Sequence, residues 1–319
     1  ARTERKTGPG YRGFSFHTSA DVTLEQDLQR RDLTINAIAE AADGTLIDPC
    51  HGQDDLREGL LRHVSPAFVE DPVRILRVAR FAARFARYGF KVAHDTNALM
   101  RNMVANGEVD HLVPERVWAE LAKALGTDTP HKFFTVLRGC GALAVLFPEI
   151  DADFVDDAQT HNSQLLPTAL DALKTSAAHS DDPHVRFGVL ISSTGMGRDT
   201  DTRYSRAKNL CKRYRIPNDF TRPALSAIRL EHCVCSATPE HTLKLMESGG
   251  AFKNTGLWEH LLSIYMLTGK LGKSRADKLR ALAIKAGDIN AAQLEDPSLS
   301  GPAIGDAIRE RRLKIITEN

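Results

Sequence analysis

The stretch from Pro72 to Gly89 constrains this chain more than any other. At about 100° per residue, Ile75, Val78, Ala79, Ala82 and Phe85 fall within one face roughly 120° wide, while Arg77, Arg80, Arg84 and Arg87 gather on the opposite side. A proline in the first turn and a glycine just past the last one mark its ends. The spacing predicts an amphipathic helix from Pro72 to about Tyr88 that must bury its apolar face.

Helical spacing then continues almost to the end of the chain. It predicts helices over Thr96 to about Ala105, Pro114 to about Leu125, and His131 to about Leu146, the last stopped by Pro148. A change of composition at Asp151–Asp157 marks a boundary, and a less patterned helical stretch follows over about 158–290. A turn at Gly301–Gly305 introduces a final helix. Strand material is confined to the first fifty residues: Gly13–His17, Thr34–Ala39, and Gly44–Asp48 after the Asp43-Gly44 turn signal. The loop Thr7–Gly13, with three glycines and a proline, reads as a mobile element. The fold class expected is mainly α, with mixed α/β material only at the N-terminal end.

Several function classes drop out. In 319 residues there is no apolar run of about 18, so no membrane span is expected. The polar, basic start lacks the apolar segment of a secretion signal. Five scattered cysteines without a CxxC pair fit neither a disulfide framework nor a zinc knuckle, and point to a reducing cytoplasm. The net charge of +1 gives no global polyanion signature, so any nucleic acid must be met by local patches.

Two such patches stand out. On the arginine stripe, four guanidinium groups and no lysine suit bidentate phosphate contacts. Asp71 and Arg74 sit near the helix N-terminus, where unsatisfied N–H groups also favour an anion. The second patch is Arg30-Arg31-Asp32, where arginine can meet a phosphate and the carboxylate a ribose hydroxyl. Taken singly, the stripe reads first as a solvated helix face, and Arg30-Arg31-Asp32 as a charged strand edge or turn before a buried strand.

Their order and context resemble the bacterial class II CCA-adding tRNA nucleotidyltransferases of the polymerase-β-like superfamily. Arg30–Ala37 resembles the RRDxTINA motif, Asp48–Leu56 the DPxxGxxDL motif, Glu70–Arg84 the EDPxRxLRxxRFAAR motif, and Pro114–Trp118 the PERV motif. The resemblance is close over 1–150 and weak beyond about 240. It implies the C-terminal part of a nucleotidyltransferase head over 1–62, a helical nucleotide-selecting and RNA-binding neck over 63–150, and a helical body and tail over 151–319.

By the same resemblance, Arg31, Arg77 and Arg80 would bind the incoming nucleotide through its phosphates, and Asp32 would sense the ribose. Asp71 and Arg74 would present a protein template to the base edge, choosing CTP or ATP. The Thr7–Gly13 loop would serve in the switch from C to A addition, and the tRNA acceptor arm would be the second partner. The runner-up readings are a poly(A) polymerase of the same superfamily and a non-catalytic RNA-binding protein.

Two departures from the family pattern bear on activity. The metal-binding Asp-x-Asp and its Gly-Gly would lie upstream of Ala1, so the chain reads as N-terminally truncated. The Mg²⁺ expected for the family finds no ligands in it, and the chain is expected to be inactive alone. Asp151-Ala152-Asp153 and Asp199-Thr200-Asp201 have the bare spacing but read as surface or capping carboxylates. In the C-terminal half, Ser192 and Ser193 stand where some members carry the His-Asp pair of a phosphohydrolase. Hydroxyls cannot replace those metal ligands, so that activity is not expected, and His161 and His232 read as structural or surface histidines.

Overall fold

The computed structural model describes residues 3–6, 14–17, 23–158, 168–236, 238–289 and 301–318. The chain divides into two units, one of residues 1–178 with 212–216 and one of residues 179–211 with 217–319. Helix predominates in both, as the periodicity requires. Among the described residues no helix is long and apolar enough to cross a membrane.

The first unit opens with an antiparallel pair, Thr3–Lys6 against Phe14–His17, with Glu4 opposite Phe16. The Thr7–Gly13 loop between them lies outside the described residues. A short helix, Leu24–Gln29, is capped reciprocally by Thr23 and Gln26. The strand expected over Thr34–Ala39 is instead a 3₁₀ turn over Thr34–Asn36, followed by a two-residue strand, Ala39–Glu40, paired with Leu46–Ile47. Local bonds win here. The Asn36 N–H donates to the Leu33 carbonyl and the Ala37 N–H to that of Thr34, which curls the backbone out of the extended state. A parallel pair, Leu60–Leu61 with Lys91–Val92, completes the strands described in this unit.

The arginine-bearing helix runs from Val73 to Phe85 and tightens into a 3₁₀ turn, Ala86–Tyr88, before Gly89 ends it in the left-handed conformation at φ 85°. It packs against the helices Pro114–Leu125 and His131–Gly139. Packing on two sides buries Val73, Leu76, Phe81 and Ala83 as well as the expected Ile75, Val78, Ala79 and Ala82, leaving Phe85 half-buried. The single helix expected over His131–Leu146 is broken: Gly141, at φ 84°, separates His131–Gly139 from Ala142–Leu146. Pro148 opens a further helix, Pro148–Ala158, because a proline costs nothing at a first helical position. That helix spans the composition change at Asp151–Asp157. Phe133 and Phe134 are core residues, completely buried.

The second unit is organised on the helix Pro183–Ser193, which is buried continuously from Val185 to Ser193. It packs against Asn218–Arg229 and Thr255–Leu267. Gly188 permits the close approach, since a Cβ there would come within 2.2 Å of Ile264 Cδ1. The helices Pro239–Gly249, Lys273–Gly287 and Pro302–Thr317 also belong to this unit.

Candidate nucleotide-binding site

The segment Arg31–Asn36 owes its position to the neighbouring Asp48–Leu56 motif. Asp48 accepts from the N–H groups of Gly52 and Gln53 at 2.8 and 2.9 Å, which starts the helix Gly52–Glu58. Burial works to raise the pKa of Asp48, but those two N–H groups outweigh it and hold the carboxyl below its usual range. Gly52 presses on the Thr34 carbonyl so closely that a Cβ would lie 2.2 Å from its oxygen. Asp55, buried, accepts from the Thr34 hydroxyl at 2.6 Å and from Arg62 Nε at 3.1 Å. The motif is therefore a clamp, and Thr34 is what it holds.

In front of the clamped segment lies a cleft of about 620 Å³. Five of the six residues singled out from sequence line it: Arg31, Asp32, Asp71, Arg74 and Arg77. They come from the clamped segment and from the start of the Val73–Phe85 helix, separated by some forty residues of chain. Arg116 and Glu120, one helical turn apart on Pro114–Leu125, line it from a third segment, and Asn36 and Phe81 of the first two complete the lining.

Every carboxylate in the cleft has an arginine. Asp32, 6% exposed, accepts from Arg77 Nε at 2.6 Å, from the Asn36 amide at 3.1 Å and from the Leu33 N–H at 3.0 Å. Burial tends to raise its pKa, yet the Arg77 charge and these hydrogen bonds together keep it ionised well below the ordinary carboxylate range. Asp71 accepts from Arg116 at 2.7 Å and from the Val73 N–H at 3.2 Å. Glu120 receives Arg80 Nε at 2.5 Å.

Arg80 is the one residue of the six that does not line the cleft. It lies beneath the wall, tied to Glu120 with its guanidinium 4.2 Å from the Phe81 ring centroid. Arg74 also does more than face a ligand. Its two terminal nitrogens donate to the carbonyls of Ala67 at 2.8 Å and Arg30 at 2.6 Å, which stitches the two motif segments together. Burial lowers its pKa against the pull of Asp71, Asp32 and Glu70, without threatening its charge. Arg31 is half-exposed and donates to the Asn36 carbonyl at 2.9 Å.

The arginine stripe thus divides. Arg77 and Arg80 belong to the cleft and its support, whereas Arg84 and Arg87 are exposed, Arg87 pairing with Asp128 at 2.5 Å. Sequence reasoning did not single out Arg116, Glu120 or Asn36. Arg116 lies inside the Pro114–Trp118 motif, so a signal existed, but its contact with Asp71 is set by helix packing.

Elsewhere, Asp199 caps a turn by accepting from the Thr202 N–H at 2.9 Å, and Asp151 lies 3.7 Å from Arg138. His161 lies outside the described residues. His232 is exposed and stacks edge-on against His241.

Residues 2–62 match the family described as Poly A polymerase head domain, and residues 89–154 the one described as Probable RNA and SrmB- binding site of polymerase A. A protein of Nitrosococcus oceani named Multifunctional CCA protein is 45% identical over 343 residues, covering 100% of this chain and 84% of its own. Its namesake from Thioalkalivibrio sulfidiphilus is 46% identical over 346 residues, with the same coverage of both chains. The chain belongs to the multifunctional CCA protein family. Among solved structures, a CCA-adding enzyme from Bacillus stearothermophilus in complex with CTP has a TM-score of 0.61 at 21% identity, covering 96% of this chain and 72% of that one. The CCA-adding enzyme of Thermotoga maritima complexed with tRNA has a TM-score of 0.52 at 20% identity, covering 93% and 70%. The multifunctional CCA protein fold thus comprises a nucleotidyltransferase head and a mainly helical body.

Proposed function

We infer that this chain is a CCA-adding tRNA nucleotidyltransferase, acting on the tRNA 3′ end with CTP and ATP. The observation that carries the reading is the cleft itself: four arginines and three carboxylates converge there from three separated segments, in a chain 45% identical to a CCA protein.

The chemistry follows from which donors remain. Arg77 gives only Nε to Asp32, so its two terminal nitrogens are left for phosphate oxygens. Arg31 stands at the cleft edge as a second phosphate contact. Asp32 keeps lone pairs for a ribose hydroxyl while fixing the angle of Arg77. Asp71, held by Arg116, and Arg74, anchored to two carbonyls, offer acceptors and donors to the base edge without a nucleic-acid template. Arg80 supports that wall through Glu120. The residues of the helical neck that follow the cleft then dock the tRNA acceptor arm.

Mg²⁺ is the ion this family uses to transfer a nucleotidyl group. The carboxylates of this cleft do not fit it: each is matched by a guanidinium, in a site with an excess of positive charge. Their work is to orient arginines.

The lack of phosphohydrolase activity is part of the same reading. At the end of the Pro183–Ser193 helix, the Arg203 guanidinium is buried against the Ser192 carbonyl and pairs with Glu231 at 2.9 Å, and Lys270 reaches Glu231 at 2.8 Å. Two cations around one carboxylate repel a divalent ion. A cytoplasmic location belongs to the same reading, on the odd, scattered set of five cysteines without a CxxC pair.

The test is ordered incorporation into a tRNA that ends at the discriminator base, by a form of the protein that also carries the family's metal-binding Asp-x-Asp. CTP before ATP supports the reading; an ATP-only homopolymer overturns it in favour of poly(A) synthesis. Equilibrium binding of CTP and ATP to the purified chain reads the cleft independently of turnover. Arg74→Ala should change the CTP-to-ATP preference, and a uniform loss of affinity would remove Arg74 from base selection.

A further inference from the structure

A second cluster, in the helical unit of residues 179–211 and 217–319, has no part in nucleotide selection. Asp182 and His184 begin the Pro183–Ser193 helix and meet Asp219 and His260 of the two helices packed against it. His184 Nδ1 lies 2.8 Å from Asp182 Oδ1, His184 Nε2 lies 3.2 Å from Asp219 Oδ2, and His260 Nε2 lies 3.0 Å from Asp182 Oδ2. Three such contacts need three bridging protons or their equivalent. Two neutral imidazoles supply only two, and two carboxylates leave the cluster with an unbalanced negative charge.

The groups are held in place. Asp182 caps the helix by accepting the His184 N–H at 2.8 Å. The His184 ring stacks on Phe220 at 4.0 Å and lies parallel to His260 within 9° at 5.2 Å. One ligand atom from each of Asp182, His184 and His260 lies within 4.8 Å of the others. All three side chains are partly exposed, so an ion has a path from solvent.

We propose that Asp182, His184 and His260 bind a late first-row divalent ion, with Zn²⁺ the best fit, and that Asp219 supports it from outside. The ion replaces the protons on the Asp182 side, taking His184 through Nδ1 and His260 through Nε2. His184 Nε2–H then donates to Asp219, the outer contact that fixes the tautomer of a metal-bound imidazole. Two imidazoles and one carboxylate favour zinc over magnesium and leave a coordination position open. Ligand atoms at zinc distances in a tetrahedron sit about 3.3 Å apart, so the two His–Asp182 gaps need to widen by a few tenths of an ångström, while the ligand set as a whole already lies within 4.8 Å. This is not the place where the His-Asp pair of a phosphohydrolase would fall. Ser192 and Ser193 end the same helix roughly 15 Å further along its axis.

Titration of the metal-free chain with Zn²⁺ against a chromophoric chelator tests the proposal, with Co²⁺ absorption reporting the nitrogen ligands. One equivalent is expected, with a rise in Tm on adding Zn²⁺. The double variant His184→Gln/His260→Gln keeps amide hydrogen bonding and, folded by circular dichroism, should lose at least about tenfold in affinity. Asp219→Asn, a change at an exposed side chain, should weaken binding about tenfold and provides a reading even if the double variant does not fold. His241→Gln, at the separate His232–His241 surface, should bind as the parent does. Affinity unchanged in both the double variant and Asp219→Asn, or lost in His241→Gln, would overturn the site and leave the cluster as a hydrogen-bonded network without a metal.

Discussion

Arg77 Nε donates to Asp32 Oδ2 across 2.6 Å, joining residues forty-five positions apart and turning a surface helix into one wall of a cleft. Asp32→Asn should therefore release Arg77 from its set angle and weaken both CTP and ATP by about tenfold, or about 1.4 kcal/mol. Isothermal titration with each nucleotide checks this. A loss confined to one nucleotide would contradict a phosphate and ribose role.

The same pair makes stability depend on acid. The folded pKa of Asp32 is depressed below its ordinary value of 3.8, so the unfolded chain binds the proton more readily. Its stabilisation is fully present above pH 3.8 and is lost as pH falls through the lower, folded value. Denaturant unfolding of the parent and of Asp32→Asn should differ near neutrality and converge at the acid end of that window.

Arg80 and Glu120 form a pair in which both side chains are largely buried. Glu120→Ala leaves a guanidinium without its carboxylate and should cost about 3 kcal/mol in urea unfolding. Replacing both members, as Arg80→Met/Glu120→Leu, should recover most of that loss while nucleotide affinity stays reduced. This separates the pair's support of the fold from its support of the cleft.

Gly52→Ala should cost about 3 kcal/mol, because the added methyl meets the Thr34 carbonyl, a backbone atom that cannot swing away. Nucleotide affinity should fall with it, since Thr34 positions Asp32. Differential scanning calorimetry and CTP titration of the same preparation read the two effects together.

His131 is buried, its Nδ1 has no hydrogen-bond partner, and burial, reinforced by Lys132 and Lys174, pushes its pKa down to about 4. Between pH 6.5 and 4 the unfolded state holds the extra proton, so stability falls as pH drops through that window, by at most about 3 kcal/mol, and levels off below it. His131→Leu should flatten the profile. An unchanged slope would place the acid sensitivity elsewhere.

Most of this site was legible because it is built from local signals. The 3.6-residue spacing and the Pro72 and Gly89 ends located the Val73–Phe85 helix, and the motif order brought Arg31, Asp32, Asp71, Arg74 and Arg77 together as one group. The sequence misled where two local choices competed. Thr34–Ala39 has strand composition, yet the turn bonds at Asn36 and Ala37 and the Asp55 grip on Thr34 curl it. Likewise, Gly141 breaks a helix that apolar periodicity alone would carry through.

The sequence by itself determined that the chain is mainly helical and which residue types could hold a nucleotide, and its resemblance to the family implied serines at the His-Asp positions. Periodicity, capping residues and donor chemistry are properties of short segments. Tertiary structure alone decided that Arg80 supports the wall from beneath, that Arg116 and Glu120 complete the cleft, and that Asp182, His184 and His260 share one place. Those relationships depend on which helix faces pack together, a matter of side-chain shape and buried charge spread over the whole unit.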